Sequence, residues 1–182
     1  MAYGNRFRYA DSDALAPLGI EVPRATWFGG RMTVLTRGSE IFRWWVRQAN
    51  TVIIGLQRLG IAFGPQYLIT VPGRKTGRPR TAAIAVVPIA GQRYVVQAYP
   101  KAAWVANVRA AEQVTLSRGR RSSVVKMVEL PVAERRPLLR DCIADSPRVG
   151  KLFTTSGLVD DGSPDGVAAA ADRIAVFRVE PT

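Results

Sequence analysis

An α+β domain built on a β-barrel, with about six mostly antiparallel strands and helices packed outside, is the fold class this sequence predicts. Three observations point there. Short runs rich in Val, Ile and Tyr recur from residue 66 to residue 130 and again near the end of the chain. Glycine-containing turns join several of them. The helical patterns fall between these runs, and no linker is long enough to divide the chain. At 182 residues and 47% hydrophobic content, the chain has material for one sizeable core and little for two.

In chain order, residues 1–38 form an irregular lead-in with Pro17, Pro23 and the Gly29-Gly30 pair. Residues 39–182 are expected to form the single barrel domain. Ser39 is placed to cap a helix from about Glu40 to Leu59, with Glu40 near the positive end of its dipole. Trp45, Ala49, Val52, Leu56 and Leu59 line one face, and Phe42, Trp44 and Ile53 widen the apolar arc. Arg43, Arg47 and Arg58 interrupt every window long enough to cross a bilayer. Such a helix covers a sheet or lies on an anionic membrane surface.

Strands are expected at Gln66–Val71, Thr81–Pro88 and Arg93–Ala98, the last two joined by a turn at Ala90-Gly91. A helix follows over Ala102–Ala111. Gln113–Ser117 and Ser122–Leu130 flank Arg118-Gly-Arg-Arg121, a hairpin with a basic tip. Pro131 opens another helix, which Pro137 should kink or restart before Leu138–Ile143. A flexible loop over Ser156–Gly166, a short alanine-rich helix and a closing strand over Arg173–Glu180 complete the chain.

Composition narrows the chemistry. Lys and Arg total 26 against 14 acidic residues, a net charge of +12, which favours anionic partners. Histidine is absent, which removes Ser-His-Asp and Cys-His catalysis and ordinary His-containing zinc sites. The one carboxylate cluster, Asp160, Asp161 and Asp165, sits among turn residues and reads as solvated rather than metal-binding. An enzyme of this composition takes its chemistry from a bound cofactor. The single Cys142 fits a reducing cytoplasm, and no secretory signal opens the chain.

Two constellations carry function. In Pro72-Gly-Arg-Lys-Thr-Gly-Arg-Pro-Arg-Thr81, four cations (Arg74, Lys75, Arg78 and Arg80) crowd a turn bracketed by Gly73 and Gly77. Such crowding destabilises unless an anion lies among the cations, and the glycines let backbone N–H groups approach it. Thr76 adds a hydroxyl. A small-molecule phosphate is the favoured partner, against a solvated turn or a nucleic-acid patch. No acidic residue lies between Gln66 and Glu112, and Tyr67 and Tyr94 fall within strands rather than among the cations. The second constellation starts at Gln97-Ala98-Tyr99 and enters a helix with Trp104 and Asn107 at i and i+3, an aromatic body beside an amide. It suits a heteroaromatic ring edge, or else Trp104 anchors the core and Asn107 bonds backbone.

Together these stretches resemble the deazaflavin-dependent nitroreductase family. The likeness runs from about residue 50 to residue 180, through Arg118-Gly-Arg-Arg121 to Val176-Phe-Arg-Val179. It implies a split β-barrel of the flavin-binding kind and the 8-hydroxy-5-deazaflavin coenzyme F-420, with flavin mononucleotide (FMN) as the alternative. By that resemblance Gly73, Arg74, Lys75, Thr76, Gly77, Arg80 and Thr81 hold the coenzyme's phosphate and acidic tail. Gln97, Ala98 and Tyr99 run along the deazaflavin, and Trp104 and Asn107 close on it. Hydride then passes to a small-molecule acceptor (a quinone, nitroaromatic or activated enone), and solvent or a tyrosine hydroxyl, with Tyr99 as the candidate, supplies the proton. The alternatives are a non-catalytic barrel binding a lipid, haem or another cofactor, or a nucleic-acid binder. The expected location is the cytoplasm, including the inner face of the membrane, and monomer and homodimer stay open.

Overall fold

In a computed structural model, the protein is described over residues 65–182, together with residues 51, 53–56, 59 and 61. The expected lead-in over residues 1–38 and the Trp44–Trp45 part of the first helix lie outside the described residues. Residues 51 and 53–56 are helical.

Six strands close into a barrel: β1 (Gln66–Pro72), β2 (Pro79–Ile89), β3 (Gln92–Val96), β4 (Val114–Arg118), β5 (Arg121–Glu129) and β6 (Val176–Pro181). Their order around the barrel is β1-β2-β3-β6-β5-β4, and every pairing is antiparallel. Closure leaves no open edge. The β2–β3 turn needs positive φ at both central residues, and Ala90 (49°) and Gly91 (79°) supply it. The β4–β5 turn places Gly119 at 58° in its first central position, opposite a register that pairs Arg118 with Arg121.

Alternate side chains fill the interior. Ile69, Val71, Val95, Leu116, Val125 and Phe177 are almost fully buried there. Helix α1 (Ala103–Val108) buries Trp104, Val105 and Val108 against the same core. A second core lies outside the barrel, where Val176, Ile174, Leu139, Ile143, Phe153 and Val167 pack together. It is covered by α2 (Val132–Asp145), α3 (Pro147–Thr155) and α4 (Pro164–Ala169).

Two expectations are corrected here, and one helix was not expected. Pro137 does not restart its helix, for α2 runs from Val132 to Asp145 with Pro137 inside it. Pro137 and Ala133 are both exposed, so the carbonyl that loses its N–H partner faces water, while Leu139 and Ile143 hold the next turns in the core. Helix α3 was not foreseen: Gly150 in its middle weakens helix propensity, yet its bare backbone lets the Gly162 carbonyl approach where a Cβ would collide. The Ser156–Gly166 stretch is braced rather than flexible. Asp161 accepts from the Ser163 N–H and hydroxyl, and the Ser163 hydroxyl caps α4 at the Gly166 N–H.

Glu129 ties barrel to helix. It accepts two bonds from Arg109, both at 2.7 Å, and one from Arg135 at 2.9 Å. The buried Arg135 guanidinium also donates to the Leu130 and Ile174 carbonyls. The Arg109 hydrogen bonds, aided by charge from both arginines, hold the Glu129 carboxyl below its ordinary value. With the folded pKa below the unfolded one, this stabilisation is full above the ordinary carboxylate range. It is lost as pH falls through the depressed folded value. Glu129→Gln should cost about 1–2 kcal/mol at neutral pH, the exposure of Arg109 keeping the figure low, and should flatten the acid limb of stability against pH. Denaturant melts between pH 3 and 7 test this; an unchanged acid limb would remove Glu129 from the linkage.

Candidate functional site

The Gly73 turn folds on itself through backbone bonds. The Gly73 N–H donates to the Arg78 carbonyl at 2.9 Å, and the Gly73 carbonyl accepts from Thr76 and Gly77 at 3.1 and 2.7 Å. Gly73 is buried, and a Cβ there would stand 3.1 Å from the Arg78 oxygen. Gly77 takes φ +66°, the left-handed region that glycine favours. The glycines thus close the loop and leave Arg74, Lys75, Thr76, Arg78 and Arg80 exposed on its rim.

The structure brings the two constellations together. The Arg74 backbone N–H donates to Asn107 Oδ1 at 3.3 Å, tying the basic turn to α1 across 33 residues of chain. Arg80 is paired with the buried Val71 in the β1–β2 register, so it stands on the inward face at this mouth of the barrel.

Other expected residues sit differently. Trp104 is only 6% exposed, its ring tilted against Phe177 with centroids 5.6 Å apart; it plugs the barrel end. Thr81 lies on the outward face, its hydroxyl 3.0 Å from that of Thr70. Gln97 is buried and internally satisfied. Its backbone N–H donates to the Ala175 carbonyl, its Oε1 accepts from the Ala175 N–H, and its Nε2 donates to the Tyr99 carbonyl at 2.8 Å. Gln97 therefore fixes the turn that follows it. Ala98 faces a separate apolar cavity of about 340 Å3 against α2 and α3. Tyr99 is half-buried against the barrel core, and burial pushes its hydroxyl pKa up. It stays protonated beyond the usual tyrosine range.

One residue of this site escaped the sequence reading. Lys101 holds φ +54° in the turn between Tyr99 and α1, a conformation that costs a non-glycine residue about 1–2 kcal/mol. Its signal was the Pro100-Lys101-Ala102 junction between a strand and a helix, where the chain must reverse within a few residues. Strain of this kind gathers where a turn is held for a purpose.

Asn107→Ala should leave the thermal midpoint nearly unchanged, because one exposed hydrogen bond contributes only about 0.5–1.5 kcal/mol. It should, however, speed hydrogen exchange at the Arg74 amide severalfold. An unaltered Arg74 exchange rate would mean that the turn holds its shape without α1.

A protein-family profile described as F420H(2)-dependent quinone reductase matches residues 40–151, more than half of the chain. No curated protein matches. Among solved structures, a domain-swapped dimer is 24% identical, covers 76% of this chain and 98% of its own, and superposes with a TM-score of 0.48. An F420H2-dependent reductase (FDR-A) is 22% identical over 64% of this chain and 94% of its own, with a TM-score of 0.43. A FAD-binding protein of Mesorhizobium loti is 13% identical over 71% and 88%, with a TM-score of 0.44. The chain belongs to the F420H(2)-dependent quinone reductase family: it is an oxidoreductase, and its cofactor is the reduced deazaflavin coenzyme F-420.

Proposed function

We propose that the protein reduces a quinone, with the coenzyme's anionic tail held by the Gly73–Arg80 turn and its ring beside the Tyr99–Asn107 segment. The observation that carries this reading is the bond from the Arg74 N–H to Asn107, which joins a cationic rim to the helix that follows the Tyr99 turn. The donor set suits such a group: exposed guanidinium, ammonium and hydroxyl donors, with no carboxylate from residue 67 to residue 111 to compete for them. When bound, the reduced coenzyme supplies the hydride.

The chain's own residues then have separable tasks. Arg74, Lys75, Thr76 and Arg80 neutralise and orient the tail, with Arg78 on the same rim. Gln97, clamped to Ala175 and Tyr99, sets the path of the backbone beside the ring. Trp104 excludes water by plugging the barrel end below. Tyr99 holds its proton at Oη because burial disfavours the phenolate, and it can donate to a reduced oxygen. Orientation of this kind contributes ~7–11 kcal/mol in favourable cases. Nitroaromatics and activated enones are further acceptors that an electron-rich donor could reduce. Among the described residues no helix is long and apolar enough to cross a membrane.

Replacing both Arg74 and Lys75 by Ala should weaken binding of oxidised coenzyme F-420 about 10–100-fold in a fluorescence titration, at little cost in thermal midpoint. Equal losses in both would make the turn structural. Tyr99→Phe should lower kcat about 10²–10⁴-fold with coenzyme affinity kept, and the wild-type rate should show no tyrosine-linked fall at or below the usual tyrosine pKa. An unaltered kcat would return the proton to solvent.

A further inference from the structure

We infer a second anion-binding site at the opposite mouth of the barrel, taking a phosphate-bearing group. Strand alternation fixes which side chains face inward there. Ile69, Val95, Leu116 and Val125 are buried in the interior, and two residues further toward this mouth on the same strands stand Tyr67, Arg93, Arg118 and Ser123. Arg121 continues the inward row of β5, and Arg120 lies in the turn. These residues surround one open cavity of about 530 Å3. That lies within the range of roughly 300–1,000 Å3 usual for ligand pockets.

Four guanidiniums line this cavity, and among the described residues no carboxylate does. They converge from two sides, since β3 carries Arg93 and does not neighbour the β4–β5 hairpin that carries the others. Arg118 and Arg121 are direct register partners, and like charges directly opposite one another destabilise a strand pair. Arg118 lies 5.5 Å from the centroid of the Tyr67 ring, which stabilises one cation. Arg93, Arg120 and Arg121 form no ion pair among the described residues. The carboxylate on neighbouring β6, Glu180, is on the outward face and is paired with Arg178 at 2.8 Å. A phosphate ester accepting from these guanidiniums and from Ser123 relieves the repulsion. β1 spans seven residues between the two mouths, so this site lies about 20 Å from the coenzyme turn.

The test uses the full chain with Arg74→Ala and Lys75→Ala, so that anions are not read out at the first site. Pyrophosphate should bind saturably by calorimetry. Adding Arg93→Gln and Arg121→Gln should weaken it about tenfold or more, the loss expected of one or two charge-assisted bonds. In the otherwise wild-type chain the same two substitutions should leave coenzyme affinity unchanged, which also reports an intact fold. Should that pair fail to fold, Arg121→Ser at the exposed hairpin carries the same comparison. A second arm floats phosphatidylglycerol against phosphatidylcholine vesicles. Selective retention lost with Arg93→Gln and Arg121→Gln assigns the site to lipid headgroups, and pyrophosphate binding without retention assigns it to soluble phosphates. No saturable binding of either probe, or binding indifferent to Arg93 and Arg121, overturns the inference.

Discussion

Closure of the six strands is the constraint on which the rest of the molecule depends. In a closed barrel every backbone group of the ladder finds a partner, and every second side chain points into one shared space. That space is filled from Ile69, Leu116, Val125 and Phe177, and it has two ends. At one end α1 inserts Trp104 against Phe177 and seals the interior from above. Once that plug is fixed, the position of Asn107 follows from helical geometry. Asn107 in turn holds the Arg74 amide, and with it the cationic rim. The cationic rim is thus tied to a packing event as well as closed by its own backbone bonds.

Glycine and glutamine support this arrangement in different ways. Gly73 gives the turn room to close on the Arg78 carbonyl, and Gly77 gives it a left-handed corner. Gln97 uses both ends of its amide to join the end of β3 to the strand approaching β6 and to the Tyr99 carbonyl. A buried amide left without partners would cost free energy, so a bond at each of its ends fixes the chain direction ahead of the Tyr99 turn. The left-handed Lys101 just beyond marks how sharply the backbone must then turn into α1.

Much of this was legible in the sequence because strands and turns are local. Short apolar runs marked all six strands within a few residues of their ends, and Ala90-Gly91 and Arg118-Gly-Arg-Arg121 marked two hairpins. The basic turn and the Trp104–Asn107 helix were legible as chemistry, and their contact was not, since 33 residues separate the bonded atoms. What stayed hidden depended on partners far along the chain. Arg135 drew no notice in the sequence, yet it is buried and bonded to Glu129, Leu130 and Ile174. Pro137 reads as a kink or restart because sequence does not reveal that the carbonyl it leaves unpaired, that of Ala133, lies on an exposed residue. The helix around Gly150 drew no notice either, because the approaching Gly162 backbone is unseen in the sequence.

The same separation governs the charge. A net +12 looks like a diffuse property of the composition, suited to any polyanion. Register resolves part of it into two separate groups: Arg74, Lys75, Arg78 and Arg80 at one mouth, and Arg93, Arg118, Arg120 and Arg121 at the other. An apolar core about 20 Å long separates them, which exceeds the Debye length at physiological salt. Across such a distance each group must meet its own counter-charge, because neither can be relieved by an anion bound at the other. Two separated cation clusters therefore call for two anions, and the cavity beside Tyr67, with Arg93 and Arg121 on its wall, is the place proposed for the second.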